Sequence, residues 1–124
     1  MTSKRTVLLV EDEALIAALA VDAFEELGYT IVEAANAKAA LEIASAGLNG
    51  FALAMIDVGL PDGRGDALAL QLRDMRGDLP IIIATGYGAS GLDAKLGTLP
   101  KVVVLTKPYE FERLQEVASG LLAP

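Results

Sequence analysis

Short apolar runs alternate along the chain with longer segments in which apolar residues recur every three or four positions. Five runs have the length and composition of β-strands: Thr6–Val10, Thr30–Ala34, Phe51–Ile56, Pro80–Thr85 and Lys101–Thr106. Four segments have helical spacing: Ala14–Leu27, Ala37–Ala46, Asp66–Arg76 and Glu110–Leu122. This alternation predicts an α/β fold, with a parallel sheet covered by helices on both faces.

Residues with defined preferences at helix ends support several of these boundaries. Gly28 can end the first helix, and Asn36 and Asp66 can act as N-caps of the second and third. The stretch GYGASGLDAKLGTLP, between the fourth and fifth strands, holds too many glycines for a stable helix. We therefore expect the fourth helix to be weak or mobile.

Composition narrows the classes of function. The chain has 124 residues, of which 53% are hydrophobic, so residues 1–124 are predicted to form one domain with its own core. It contains no Cys and no His, which excludes disulfides, thiolate or imidazole metal sites and histidine acid–base catalysis. Its net charge of −7 disfavours direct nucleic-acid binding. No apolar run is long enough for a signal peptide or membrane span, so we expect a cytoplasmic location without membrane contact.

Polar residues follow four of the predicted strands at the point where each strand ends. The carboxyl ends of parallel strands meet at one edge of a sheet, and ligands bind beyond that edge. The sequence therefore predicts that residues distant along the chain converge there. They are Glu11 and Asp12 after the first strand, Asp57 after the third, Thr85 after the fourth, and Lys107 after the fifth.

Three carboxylates at one site repel each other, and a divalent cation relieves that repulsion. Oxygen ligands without His or Cys favour Mg²⁺, or alternatively Mn²⁺, over zinc. A metal ion, a lysine and a hydroxyl around one carboxylate suit phosphoryl transfer, in which charge neutralisation does most of the catalysis. With no Ser–His or Cys–His pair available, Asp57 is the candidate nucleophile.

Each of these residues alone has an ordinary structural interpretation. An acid after a strand is usually a turn residue or a helix cap, and Asp12 could simply cap the helix that begins at Ala14. Thr85 could be an ordinary loop residue, and Lys107 a solvated strand end. Their joint occurrence at one sheet edge favours a functional site.

The motifs LLVEDE, MIDVGLPDGRG, ATG and LTKP, in this order and spacing, resemble the receiver domain of bacterial two-component response regulators. The resemblance covers nearly the whole chain. It implies a flavodoxin-like, doubly wound sheet of five parallel strands in the order 2-1-3-4-5.

The same resemblance assigns roles to individual residues. Asp57 would accept a phosphoryl group from the phosphohistidine of a sensor histidine kinase or a histidine phosphotransfer protein. The Lys107–Pro108 peptide bond would be cis. The Mg²⁺ ligands would be Glu11, Asp12, Asp57 and the carbonyl oxygen of Gly59. The phosphoryl-binding groups would be Thr85, Lys107 and the backbone N–H groups of Val58 and Gly86.

Two positions depart from the common receiver pattern. Many receivers carry an aromatic switch residue three positions before the lysine, where this chain has Val104. The stretch IIIATGYG instead resembles the Phe-Ala-Thr-Gly-x-Tyr or "FAT GUY" receivers, with Ile83 in place of Phe and with Tyr87 directly after Gly86. That resemblance implies an alphaproteobacterial, often stand-alone receiver with a mobile fourth helix. We hypothesise that phosphorylation orders residues 86–98, a change that amide exchange would detect.

Two surface features have open interpretations. Tyr87 either packs as a lid on apolar neighbours or shields the acyl phosphate and contacts a partner. The apolar edge strand around Val104 either lies under flanking helices or forms a surface for a downstream protein or a weak homodimer. Output would then occur by protein contact or phosphate relay.

Three alternative functions compete with this interpretation. The motif GYGASG follows a strand as in dinucleotide-binding proteins, but neither a firm helix nor an acidic strand end follows it. A Mg²⁺-dependent phosphohydrolase would commonly have a second acid where Gly59 stands, and turnover of small phosphomonoesters would reveal it. A degenerate receiver that only binds proteins would neither bind Mg²⁺ nor accept phosphate.

Overall fold

In the computed structural model, which describes residues 5–86 and 91–122, five parallel strands form one sheet. The strands are β1 (Thr6–Val10), β2 (Thr30–Ala34), β3 (Phe51–Asp57), β4 (Ile81–Thr85) and β5 (Val102–Thr106). Their order is β2-β1-β3-β4-β5, so the predicted sheet is confirmed. In this register Asp57 lies beside Ala84, and Thr85 lies beside Thr106. The ends of β3, β4 and β5, which carry the predicted site residues, therefore lie at one edge of the sheet.

Within the described part of the chain, four α-helices cover the two faces of the sheet: α1 (Ala14–Glu26), α2 (Ala37–Ser45), α3 (Gly65–Met75) and α4 (Phe111–Leu122). Side chains from α1 and α4 pack on one face, and side chains from α2 and α3 pack on the other. Among the described helices, none combines the length and apolar character that crossing a membrane requires.

The central strand β3 explains why the sheet is covered on both sides. All of its residues are buried. Leu53 and Met55 point into the cluster that includes Phe24 of α1, whereas Ile56 points into the cluster that includes Leu72 of α3. Because side chains alternate between the faces of a strand, a strand buried on both faces must be apolar throughout, as the sequence showed.

The helix ends test three local predictions. Gly28 follows α1 with a φ of +95°, a conformation that favours glycine, and Asn36 caps α2 by accepting a hydrogen bond from the Ala39 N–H at 2.8 Å. Both predictions are confirmed. The prediction for Asp66 is wrong, because α3 begins at Gly65 and Arg64 occupies the N-cap position. Asp66 instead lies in the first turn, where its carboxylate accepts hydrogen bonds from other partners.

The region between β4 and β5 contains a short 3-10 helix, Ala94–Thr98, and residues 91–101 include no α-helix. This agrees with the poor helix signal of the glycine-rich sequence. Leu96 anchors the short helix by packing into the core cluster shared with α3. Tyr87 lies outside the described residues, and the mobility of this region stays a prediction.

A small antiparallel hairpin follows β3, pairing Gly59–Leu60 with Gly63–Arg64. Asp62, in its turn, accepts hydrogen bonds from the first two N–H groups of α2, those of Ala37 and Lys38, at 2.8 and 3.0 Å. These N–H groups have no partner within their own helix, so Asp62 attaches the hairpin to α2. The loop after Asp57 is therefore fixed by its own hairpin pairing and by its hydrogen bonds to α2.

The edge strand β5 is only partly covered. Val102 and Val103 pack against the two core clusters, whereas Val104 is half-buried and lines a groove with Tyr109 and Arg113. The edge strand thus contributes to the core along part of its length. Self-association through Val104 stays a prediction.

Candidate functional site

A groove of about 550 Å³ opens at the carboxyl edge of the sheet. The ends of β3, β4 and β5 meet there because neighbouring parallel strands are in register. The predicted site residues that line the groove are Asp57, Val58, Gly59, Thr85, Gly86 and Lys107. Residues from the ends of three different strands thus face one cavity, as the topology predicts.

Lys107 joins the acidic residues of this edge. Its Nζ lies 2.7 Å from Asp57 Oδ1, 3.2 Å from Glu11 Oε1 and 3.5 Å from Glu13 Oε1. The peptide bond between Lys107 and Pro108 is cis, as the resemblance implied. The Lys107 N–H donates to the Thr85 carbonyl oxygen at 2.8 Å, so the backbone that carries the ammonium group is bonded to the end of β4.

Glu11, Asp12 and Asp57 form a compact carboxylate cluster, in which one oxygen of each residue lies within 4.8 Å of the others. Glu11 and Asp57 are buried and Asp12 is exposed, so the cluster opens toward solvent on one side. Three hard oxygen donors at this spacing, without nitrogen or sulfur ligands, fit Mg²⁺.

The charges of the site shift two pKa values. Burial raises the pKa of Glu11, and the negative charge of Asp57 adds to this increase despite a hydrogen bond from the Glu13 N–H and the nearby Lys107. Burial alone would lower the pKa of Lys107, but its hydrogen bond with Asp57 and the charge of Glu11 outweigh burial and raise it. Lys107 is therefore a firmly protonated cation beside two buried carboxyl groups.

The backbone around Asp57 is closely packed. The Val58 N–H donates to the Ala84 carbonyl oxygen at 3.0 Å, and the Val58 carbonyl oxygen accepts from the Gly65 N–H at 2.9 Å. The Val58 N–H is thus bonded within the sheet. Its predicted contact with a phosphoryl oxygen stays a prediction. A Cβ atom on Gly65 would collide with the Asp57 carbonyl oxygen and lie 2.9 Å from Ile56 Cγ2.

Three residues of this region were not assigned a role from the sequence. Glu13 joins the ion pairs of Lys107, Gly65 allows α3 to approach β3, and Arg64 lines the groove. Gly65 stands at the junction between the loop that follows Asp57 and α3, and a glycine at such a position is a sequence signal for close backbone approach. No comparable signal identified Arg64, because an exposed loop arginine is common.

Four predicted residues are not among those that line the groove in the described structure. Glu11 and Asp12 reach the site only through their carboxylate cluster with Asp57. Val104 lies on a separate groove at the β5–α4 face. Tyr87 lies outside the described residues. The predicted roles of Val104 and Tyr87 in switching or partner contact stay predictions.

The family model described as "Response regulator receiver domain" matches residues 7–119. Among curated proteins, the chain is 31% identical over 122 residues to the sensor kinase CckA of Brucella abortus and 28% identical over 120 residues to the response regulator receiver protein CpdR of the same organism. The match to CckA includes 98% of this chain but only 13% of the length of CckA. The match to CpdR includes 96% of this chain and 98% of CpdR.

Solved structures agree with this result. A CheY-like receiver domain protein from Methanospirillum hungatei superposes with a TM-score of 0.85 at 26% identity, covering 97% of this chain and 94% of that one. The response regulator TrrA of Thermotoga maritima, in complex with Mg²⁺ and BeF, superposes with a TM-score of 0.79 at 29% identity, covering 95% and 99%. The carboxylate cluster, its lysine and the sheet order therefore have one common explanation: the chain belongs to the receiver domain family of two-component response regulators.

Proposed function

We propose that this receiver accepts a phosphoryl group on Asp57 from the phosphohistidine of a sensor histidine kinase or a histidine phosphotransfer protein. The observation that carries the proposal is the 2.7 Å contact between Lys107 Nζ and Asp57 Oδ1 inside the three-carboxylate cluster. The ammonium group is paired with a buried carboxylate that lies next to two further acids. An ionised carboxylate facing an open groove is a nucleophile available to phosphorus.

The chemistry follows from the positions of the side chains. An Asp57 oxygen attacks phosphorus, and the phosphorus–nitrogen bond of the donor breaks in line, which returns the imidazole to the partner. Lys107 is charged and in contact with the nucleophile. It can therefore stabilise the negative charge that develops on the phosphoryl oxygens in the transition state. Thr85 and Gly86 line the same groove and are proposed to bind those oxygens through the hydroxyl and the N–H group.

The metal ion belongs to the same proposal. Glu11, Asp12 and Asp57 would hold Mg²⁺, with the Gly59 carbonyl oxygen as a further ligand, and Mn²⁺ could replace it. Bound there, the ion neutralises the carboxylates and the incoming phosphoryl oxygens. A Cβ on Gly59 would lie 3.8 Å from Asp57 Oδ2, so this position directly adjoins the acceptor.

The wider biological assignment rests on the relatives. We propose that residues 1–124 act as one receiver domain in the cytoplasm, without direct nucleic-acid binding, and that output occurs by contact with a downstream protein or by phosphate relay. The similarity to CpdR, a receiver protein of nearly the same length, supports this assignment. A weak homodimer through the β5–α4 face is a further part of the proposal.

Mg²⁺-dependent labelling by a small phosphodonor tests the proposed function. We expect the intact mass of the chain to increase by one phosphoryl group after incubation with acetyl phosphate and Mg²⁺, because positioning and charge neutralisation supply most of the catalysis. With EDTA in place of Mg²⁺, we expect the labelled fraction to fall at least about tenfold.

The failed outcomes of this experiment are distinct. A chain that takes no label but whose melting temperature rises with Mg²⁺ would have a working metal site and need its cognate donor, since ligands stabilise the state that binds them. Absence of both effects would contradict phosphoryl transfer and leave a protein-binding module. Steady release of phosphate from small phosphomonoesters would instead indicate a hydrolase.

Replacement of Lys107 by methionine should have opposite effects on chemistry and on metal binding. We expect the labelling rate to fall about a hundredfold, the typical loss when a charge-stabilising group is removed from a transition state. We expect Mg²⁺ to bind severalfold more tightly, because the ammonium group no longer competes for Asp57 and Glu11. Labelling kinetics by intact mass and Mg²⁺ titration by calorimetry measure the two effects.

Lys38→Ala is the matched control for this variant. Lys38 is an exposed lysine at the start of α2. It does not line the groove that contains Asp57 and Lys107, which we call the acceptor groove. Its removal changes the net charge equally and should leave both measurements near wild type. A Lys107→Met variant with a wild-type labelling rate would show that the lysine has no part in the chemistry.

A further inference from the structure

Arg64 and Asp66 form a two-pronged ion pair at the rim of the acceptor groove. Arg64 Nε donates to Asp66 Oδ1 at 3.0 Å, and Arg64 Nη2 donates to Asp66 Oδ2 at 3.1 Å. The Asp66 side chain is 4% exposed and the Arg64 side chain 57% exposed, so a buried carboxylate orients a more exposed cation. Arg64 lines the same groove as Asp57 and Lys107.

Both members of the pair also bind the chain segment that follows β4. Arg64 Nη2 donates to the Gly91 carbonyl oxygen at 3.0 Å, and the Asp93 N–H donates to Asp66 Oδ2 at 2.9 Å. Gly91 and Leu92 themselves line the acceptor groove. The Arg64–Asp66 pair therefore joins two walls of the groove that lie 27 residues apart in sequence.

Both carboxylate oxygens of Asp66 accept two hydrogen bonds each. Its oxygens accept two bonds from Arg64, one from the Ala67 N–H at 3.0 Å and one from the Asp93 N–H. Burial alone would raise the pKa of Asp66, but the bonds from Arg64 and Asp93 outweigh burial and lower it. A buried carboxylate that loses one such partner disrupts the others, so the pair and residues 91–93 form one energetic unit.

We propose that Arg64 and Asp66 are positioning residues that hold residues 91–93 as a wall of the acceptor groove and so limit the access of water to the acyl phosphate. The proposal rests on the proposed function of Asp57. In hydrolysis a water oxygen bonds to phosphorus, the bond between phosphorus and the Asp57 oxygen breaks, and inorganic phosphate leaves with the carboxylate restored. A wall released from the pair admits water more readily and shortens the lifetime of the phosphorylated state.

The lifetime of the label in three variants tests this proposal. Wild type, Arg64→Ala, Asp66→Asn and the double variant are labelled with acetyl phosphate and Mg²⁺, freed of donor, and followed by intact mass. We expect each single substitution to shorten the half-life about threefold, and the double variant to be no shorter-lived, since either substitution alone already breaks up the unit formed by the pair and residues 91–93. Lys38→Ala, which removes an exposed cation that does not line this groove, should keep the wild-type half-life.

Amide exchange of the unlabelled chain provides a second measurement that does not depend on phosphorylation. We expect residues 91–98 to exchange about tenfold faster in both single variants than in wild type. Unchanged exchange would overturn the proposal, because the pair would then not hold this segment. The melting temperature alone does not decide, since a purely structural pair would also lower it.

Three further results would overturn the proposal while leaving the function of Asp57 intact. The first is a labelled wild type whose half-life is shared by both single variants. The second is a shorter half-life in Arg64→Ala alone, which would mean that the guanidinium acts directly on the phosphoryl group. The third is full additivity in the double variant. A wild type that takes no label would instead overturn the proposed function, and the chemical part of this proposal with it.

Discussion

Substitution of Asp57 by asparagine is expected to abolish labelling by acetyl phosphate in the presence of Mg²⁺. The amide oxygen is a far weaker nucleophile than a carboxylate oxygen and forms no stable acyl phosphate. The substitution also removes one of the three carboxylates that lie within 4.8 Å of one another, so Mg²⁺ should bind more weakly. Intact mass measures the label, and the Mg²⁺-induced rise in melting temperature measures the binding.

Asp62→Asn is the matched control for Asp57→Asn. Asp62 lies five residues further along the same loop, but its carboxylate caps α2 and does not line the groove. An asparagine there can still accept a hydrogen bond, and we expect wild-type labelling. If Asp57→Asn took up as much phosphate as wild type, another acid of the cluster, such as the exposed Asp12, would have to be the acceptor.

Substitution of Gly65 by alanine is expected to lower the free energy of unfolding by about 3 kcal/mol, in the range of overpacked core substitutions. The new Cβ would collide with the Asp57 carbonyl oxygen and approach Ile56 Cγ2 at 2.9 Å. A backbone oxygen cannot rotate away as a side chain can, so α3 and β3 must separate. Chemical denaturation measures the loss of stability.

The same clash involves the residue that carries the acceptor carboxylate, so we also expect the labelling rate of the folded Gly65→Ala variant to fall. Gly63→Ala is the control, because a Cβ on Gly63 meets nothing within 4 Å, although the residue lies in the same loop and lines the groove. Its stability should stay within about 0.5 kcal/mol of wild type. Equal stabilities of the two variants would contradict the steric role of Gly65.

Much of the fold could be predicted because its determinants are local. Strands buried on both faces must be continuously apolar, and β3 and β4 are visible in the sequence for that reason. The Asn36 cap and the turn at Gly28 depend on residues within four positions of each other, and both were predicted correctly. The glycine-rich stretch before β5 lacked a helix signal, and its described part holds only a 3-10 helix.

Asp66 shows where local reasoning fails. An aspartate before an apolar helical segment is a good N-cap, and the sequence favoured that role. In the structure Arg64 and the Asp93 N–H bind the carboxylate, and the helix begins one residue earlier. One of these partners is 27 residues away, so no pattern within the helix could have shown it.

The amino-acid sequence by itself determined which residue types end each strand, and parallel pairing then required Glu11, Asp57 and Lys107 to share one edge. The tertiary structure decided which atoms touch: Lys107 Nζ on Asp57 Oδ1, the Gly65 backbone against β3, and the Arg64–Asp66 pair against residues 91–93. The difference has a physical basis. Hydrophobic periodicity is repeated over many residues and averages out local exceptions, whereas one ion pair or one steric contact depends on a few tenths of an ångström between segments far apart in the chain.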